Sequence, residues 1–277
     1  TKKTNQTNWR RRIKTGKLRQ MTDFLNKLIT DAETRILTGY YDTEQIKRQQ
    51  TTSLARKIKT APHNAIIAEI KPISPARGPI RPTLDPVDTA LQLQRGGAIG
   101  LSILTEPDNF GGSLTNLSSV RPRVKLPLLM KDIMINNKQI VAAKNSGADC
   151  ILLIQTVLSR KGITPAGLIK TAHDLQLEVL LEVHNSQELL QASTSDADII
   201  GINNRNLTDL QIDLKTTTKL FETTKKPKGK IIITESGLET VEDVRKLKKV
   251  PVDGFLIGSS IMLANDIESK VREFVFA

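Results

Sequence analysis

Eight short apolar runs recur along this chain, each about five residues long, and helically spaced stretches separate them. The runs are Ala65–Ile70, Gly100–Leu104, Leu126–Met130, Cys150–Ile154, Glu178–Val183, Ile199–Ile202, Lys230–Ile233 and Gly254–Ile257. Most are too continuous for strands with one wet face; strands covered on both faces read this way. The stretches between them include Pro86–Arg95, Asn137–Ser146, Pro165–Leu175, Ser186–Ala192, Leu214–Phe221 and Thr240–Leu247, and Ile261–Phe274 follows the last run. Strands alternating with helices mean βαβ units and a parallel sheet. Eight such units in roughly 210 residues is the count of a TIM barrel, an α/β fold. The competing architecture is a doubly wound open sheet. A Gly-rich fingerprint after the first run would support it, but Lys71-Pro72-Ile73-Ser74-Pro75 stands there instead.

Ahead of the first run the pattern is helical. Phe24, Leu25, Leu28, Ile29 and Ile36 form one apolar stripe, with Asp23 placed to cap it. A more polar helical stretch is predicted over Thr43–Lys59, ending at Ala61-Pro62-His63-Asn64. The expected organisation is a basic tail over 1–20, a helical extension over 21–64 and the barrel over 65–277. The tail carries eight of the 41 basic residues and no acid. The other 257 residues hold 33 basic against 29 acidic side chains, so the net charge of +12 falls to +4 without it. It lacks both the apolar core of a secretory signal and serine. Three readings of it stay open: a disordered extension, an arm for polyanions, or sequence ahead of a start at Met21. A lone cysteine, Cys150, cannot form an internal disulfide and suits a reducing cytoplasm. No apolar run approaches the roughly 18 residues that span a bilayer.

Barrel enzymes carry their chemistry where strands end. Here those ends read Glu69-Ile70-Lys71, Thr105-Glu106, Lys131-Asp132, Glu182-Val183-His184, Asn203-Asn204-Arg205, Glu235-Ser236-Gly237 and Gly258-Ser259-Ser260. Residues i and i+2 share a strand face, so Glu69 and Lys71 should point inward while Ala68 and Ile70 face the helices. Either they form a structural ion pair or they are part of a polar floor. With Lys131, Glu182 and Glu235 they would bring three carboxylates and two ammonium groups to one rim, a set suited to acid–base work on a small polar molecule. Ser236-Gly237 and Gly258-Ser259 follow the seventh and eighth strands, where barrels most often hold phosphate on backbone N–H groups. His63, His173 and His184 show no ligand spacing, so no metal is expected, and nothing suggests an organic cofactor.

Taken together the blocks resemble the indole-3-glycerol phosphate synthase family. The resemblance rests on Ile67-Ala68-Glu69-Ile70-Lys71-Pro72-Ile73-Ser74-Pro75, Leu101-Ser102-Ile103-Leu104-Thr105-Glu106 and Phe110-Gly111-Gly112-Ser113. It continues through Lys131-Asp132, Gly147-Ala148-Asp149, Leu181-Glu182-Val183-His184, Gly201-Ile202-Asn203-Asn204-Arg205-Asn206-Leu207, Thr234-Glu235-Ser236-Gly237 and Leu256-Ile257-Gly258-Ser259. These run in order from about Ile66 to Met262, one block per strand, and the helical segment ahead resembles the family's N-terminal extension.

The resemblance implies a cofactor-free carbon–carbon lyase of tryptophan biosynthesis; a cytoplasmic monomer is the expected form. It would convert 1-(2-carboxyphenylamino)-1-deoxyribulose 5-phosphate to indole-3-glycerol phosphate, CO2 and water. By the same match, Lys131 would be the acid for ring closure, Lys71 would hold the substrate carboxylate and serve in dehydration, and Glu182 or Glu69 would be the base. Asn203 and Glu235 would position the anilino and hydroxyl groups. Phe110, Ser74 and Arg205 would join the substrate site, and Ser236, Gly237, Gly258 and Ser259 the phosphate site. Three positions depart from the family pattern: Ile133 replaces an aromatic, Pro72-Ile73 replace basic residues after Lys71, and Asn206 replaces an aspartate. A phosphoribosylanthranilate isomerase would need a Cys and Asp pair, which Cys150 within a strand fits poorly. A nucleic-acid binder would have to work through the tail, with few aromatic side chains for stacking.

Overall fold

The computed structural model describes residues 24–46, 51–81 and 83–277. The basic tail, Asp23 and the middle of the Thr43–Lys59 stretch lie outside those residues. Eight parallel strands close into a barrel: β1 (Ile66–Ile70), β2 (Gly100–Leu104), β3 (Leu128–Lys131), β4 (Cys150–Ile154), β5 (Glu178–Val183), β6 (Ile199–Asn203), β7 (Ile231–Glu235) and β8 (Gly254–Ile257). Each strand pairs with its sequence neighbours, and β8 returns to β1. The (β/α)8 expectation therefore holds.

Several strand ends differ from the reading of the runs, in ways that matter for the site. β3 starts at Leu128 because Pro127 has no N–H for the ladder; its carbonyl still accepts from the Leu101 N–H at 3.0 Å. At the other end Lys131, Asn203 and Glu235 belong to the strands themselves, with Lys131 paired to Leu104 and Asn203 to Glu235. Their Cα positions are thus fixed by the ladder rather than left to loops.

The helix predicted over Ile261–Phe274 is two, Ser259–Met262 and Ile267–Val275. Asp266 breaks it by capping the second piece, its carboxylate accepting from the Ser269 N–H at 2.9 Å. Strands alternate as the sequence implies. Ala68 and Ile70 pack outward among helix residues such as Leu93 and Phe274. Ile67, Leu129, Leu180 and Ile233 fill the interior. Asn64, just before β1, donates its side-chain amide to the carbonyls of Phe274 and Ala277, at 2.9 and 3.1 Å, so the barrel's two ends are tied together.

Among the described residues two helices precede the barrel and sit at its opposite ends. Helix α1 (Phe24–Leu37) buries Leu25, Leu28, Ile29 and Ala32 and lies over the loops after β2, β3 and β4. Polar ties hold it there: Lys27 to Asn109, Arg160 to Asn26, and Arg35 to Glu106. Helix α2 (Leu54–Lys59) seals the amino end with Leu54 and Ile58. It starts at Leu54, not Thr43, because its free N–H groups are met there. Ser53 caps it, and Glu178 at the start of β5 accepts from the N–H groups of Leu54 and Ala55 at 2.7 and 3.1 Å.

Candidate active site

Glu69, Lys131, Glu182 and Glu235 rise from β1, β3, β5 and β7 into one cleft at the carboxyl end. The Lys131 ammonium is bonded to Glu235 and lies 3.6 Å from Glu182 Oε2 and 3.9 Å from Glu69 Oε2. Lys71 sits one step above, its Nζ 2.8 Å from Glu69 Oε1. Ser102 donates to Glu69 Oε2 at 3.3 Å, and the Asn203 amide donates to Glu182 Oε1 at 2.9 Å. Two glycines make room for this cluster. A Cβ on Gly201 would come within 2.5 Å of Glu235 Oε1, and one on Gly258 within 2.8 Å of Glu69 Oε1.

Burial alone would make all of these groups neutral. The cluster resists it unevenly. Burial works against the Lys131 charge, but Glu235, Glu182 and Glu69 outweigh it and hold the lysine protonated well above its ordinary range. The Glu69 carboxyl is likewise opposed by burial yet held low by Lys71 and Lys131. Glu182 is held down to about 2, because Lys131, His184 and Asn203 overcome its burial. Glu235 goes the other way. Burial pushes it up to about 7, with Glu182 and Glu69 adding repulsion that Lys131 does not cancel. Its Oε1 is buried without a hydrogen-bond partner. The site thus pairs a firmly protonated amine with two ionised carboxylates, Glu69 and Glu182, and one carboxyl, Glu235, poised to hold a proton.

Behind Lys131 lies a second buried network. Asp132 accepts from Thr105 Oγ1 at 2.6 Å, from Tyr41 OH at 3.1 Å and from the Ile133 N–H at 2.8 Å. Arg35 of α1 reaches Glu106 at 2.8 Å and Asp132 at 3.8 Å, and also pairs with Asp108. Glu106 in turn accepts from the N–H groups of Asn109 and Phe110 at 2.8 and 3.0 Å. The sequence pattern did not mark Arg35 as part of the site's support, since nothing in a helical stripe says which loop its one buried cation meets.

All thirteen predicted site residues line this single cleft, which opens to solvent. One wall is apolar, formed by Phe24 and Leu28 of α1 with Phe110, Ile133, Leu152 and Ile154. Opposite it are Ser74, Arg205, Ser236, Gly237, Gly258 and Ser259, joined by Arg77. Ser74 is buried with its hydroxyl unpartnered. Ser236 and Gly237 both take left-handed backbone, at φ 69° and 84°. Only glycine fits the second place, because a Cβ there would lie 2.5 Å from Ile212. The buried Asn204 steadies this loop, donating to the carbonyls of Glu235 and Ser236, each at 3.1 Å.

The model of the indole-3-glycerol phosphate synthase family matches residues 20–274. The chain belongs to that family. Relatives agree over most of its length. Indole-3-glycerol phosphate synthase from Lachnoclostridium phytofermentans is 36% identical over 261 residues, covering 94% of this chain and 93% of that protein. The one from Campylobacter hominis is 42% identical over 220 residues, covering 79% and 83%, and the one from Campylobacter jejuni subsp. doylei is 44% identical over 201 residues, covering 73% and 76%. Among solved structures, thiamine phosphate pyrophosphorylase from Pyrococcus furiosus superposes with a TM-score of 0.56 at 17% identity, covering 80% of this chain and 96% of that one. That likeness is of fold alone. Membership in the indole-3-glycerol phosphate synthase family makes this chain an enzyme of tryptophan biosynthesis. Ile133, standing where the family usually has an aromatic residue, is buried in the apolar wall.

Proposed function

We propose that the chain is a carbon–carbon lyase that closes and decarboxylates 1-(2-carboxyphenylamino)-1-deoxyribulose 5-phosphate to give indole-3-glycerol phosphate. The observation that carries this reading is the Lys131 ammonium held among Glu235, Glu182 and Glu69, with Lys71 on Glu69, at the carboxyl end of a barrel of this family. The apolar wall suits the anthranilate ring. The opposite rim, with Arg205, Ser236, Gly237, Gly258 and Ser259, suits the phosphate.

Ring closure needs a proton on the ribulose carbonyl oxygen as the carboxyl-bearing ring carbon attacks. Lys131 supplies it, and its three carboxylate neighbours keep it loaded with that proton. The electron pair of the ring–carboxylate bond then returns to the ring as CO2 leaves, restoring aromatic character. The new hydroxyl departs as water on a proton from Lys71. Glu182, the ionised carboxylate, takes a proton from the methylene beside the nitrogen, while Glu69 holds Lys71 in reach. Asn203 and Glu235 orient the anilino and hydroxyl groups. One proton is taken up overall, as conversion of a carboxylate to CO2 requires. A monomer of 30.7 kDa working in the cytoplasm is the expected form.

The test is direct. Purified chain incubated with the anilino-ribulose phosphate should develop the indole chromophore and release one CO2 per indole formed. A folded chain that releases no CO2 and forms no indole would overturn the proposal.

A further inference from the structure

His184 touches Glu182 and takes part in none of the steps above. His184 follows β5 directly, and the strand's alternation carried one residue on sets its side chain, at i+2 from Glu182, on the same face. The imidazole Nε2 lies 3.3 Å from Glu182 Oε1, while Lys131 faces the other oxygen, Oε2. On the far side Nδ1 is 3.1 Å from Thr156 Oγ1 and 3.4 Å from Glu188 Oε2. The Thr156 hydroxyl donates to Glu188 Oε1 at 2.7 Å, so toward the histidine its oxygen can only accept. Nδ1 must therefore carry a proton. Nε2 is buried within ion-pair reach of a carboxylate oxygen but without an aligned hydrogen bond, and a lone pair there would face negative charge, so it carries a proton too. The ring is wedged as a cation between two carboxylates, with only 13% of its side chain exposed.

We propose that His184 is a positioning residue for the base: as a fixed imidazolium it holds Glu182 ionised and turns Oε2 toward the reacting atoms. Asn203 donates to Oε1 and the imidazolium lies against the same oxygen as an ion pair, so both contacts on it come from the protein and Oε2 is left for Lys131 and substrate. The surrounding electrostatics agree. Burial opposes the imidazolium, but Glu182 and Glu188 raise its pKa to about 9. The groups that face the ring are Glu182 on β5, Thr156 on the helix Gln155–Arg160 and Glu188 on the helix Ser186–Ser193. Asp209 and Asp213, in the loop after β6, line the outer cavity onto which the ring opens. All the charges among them are negative, which favours the same form. The inference rests on Glu182 being the base.

His184→Asn removes the cation and keeps a short polar side chain. Its plateau kcat should fall while KM changes less. The acid limb of its kcat profile should move up by about 1–3 pH units, the usual effect of losing an adjacent opposite charge. His184→Lys should return part of that shift. An unmoved acid limb, or equal losses at every pH, would overturn the proposal. Nitrogen NMR of the wild-type ring gives a readout that needs no variant to fold: both ring nitrogens should be protonated at pH 7.5, and a neutral tautomer there would also overturn it. Failure of the base assignment would look different, as full turnover in Glu182→Gln.

Discussion

At the scale of single residues the floor makes two sharp demands. Lys131→Met keeps most of the aliphatic stem and removes the proton. Turnover should fall on the order of 10²–10⁴-fold, the usual worth of a general acid, with substrate binding much less affected. Turnover within about threefold of wild type in a folded variant, far below that range, would pass the role to Lys71. Glu235 is the second case. Its folded carboxyl is raised from 4.5 to about 7, so between those values the folded chain holds a proton that the unfolded chain has released. Stability should therefore fall as pH rises through that window. Denaturant midpoints of Glu235→Gln should lose that part of the slope, and an unchanged slope would show that Glu235 ionises normally. The residues at the strand ends were legible because charge placed after an apolar run is conspicuous. His184 obeyed the same i, i+2 rule that marked Glu69 and Lys71, yet three histidines without ligand spacing read as unremarkable. The signal was present in Glu182-Val183-His184.

At the scale of elements, strands were the easiest part of the fold to read and the extension the hardest. Gly100–Leu104, Cys150–Ile154, Glu178–Val183 and Gly254–Ile257 match the runs residue for residue, since a strand covered on both faces is mostly apolar, interrupted here only by Ser102, Glu178 and Glu182. An amphipathic helix declares only that it covers something. That α1 lies over the carboxyl end and α2 closes the amino end depends on partners distant in sequence, Glu106 and Asp132 for one and Glu178 for the other. Arg35 is the clasp for α1, and its side chain is 7% exposed. Arg35→Ala would leave Glu106 and Asp132 buried without their cation, at a cost of about 3–5 kcal/mol. Urea unfolding should show that loss. Because Asp132 adjoins Lys131 and Glu106 holds the Phe110 N–H, KM should rise as well. A loss under about 1 kcal/mol would place Arg35 among ordinary surface ion pairs.

At the scale of the whole molecule, charge and architecture separate cleanly. Removing residues 1–20 takes the net charge from +12 to +4 and touches none of the contacts described for the barrel. Turnover at physiological salt should be unchanged in a chain beginning at Met21, and a large loss would show that the tail serves the site. The ring itself has no natural starting point, because Asn64 binds the carbonyls of Phe274 and Ala277 and so closes the seam from β8 back to β1. The described residues upstream of that seam are held from outside, by several polar ties at the carboxyl mouth and by Glu178 at the amino mouth. Such a molecule could be supplied in two pieces, with the helical segment added as a free peptide to a ring that begins at Asn64. Dividing it would forfeit roughly 4–15 kcal/mol of lost rigid-body freedom on reassembly. The covalent link at Ala61–Asn64 thus serves as a tether: it keeps the local concentration of the lid high enough that its modest apolar face and a few ion pairs suffice to hold it shut.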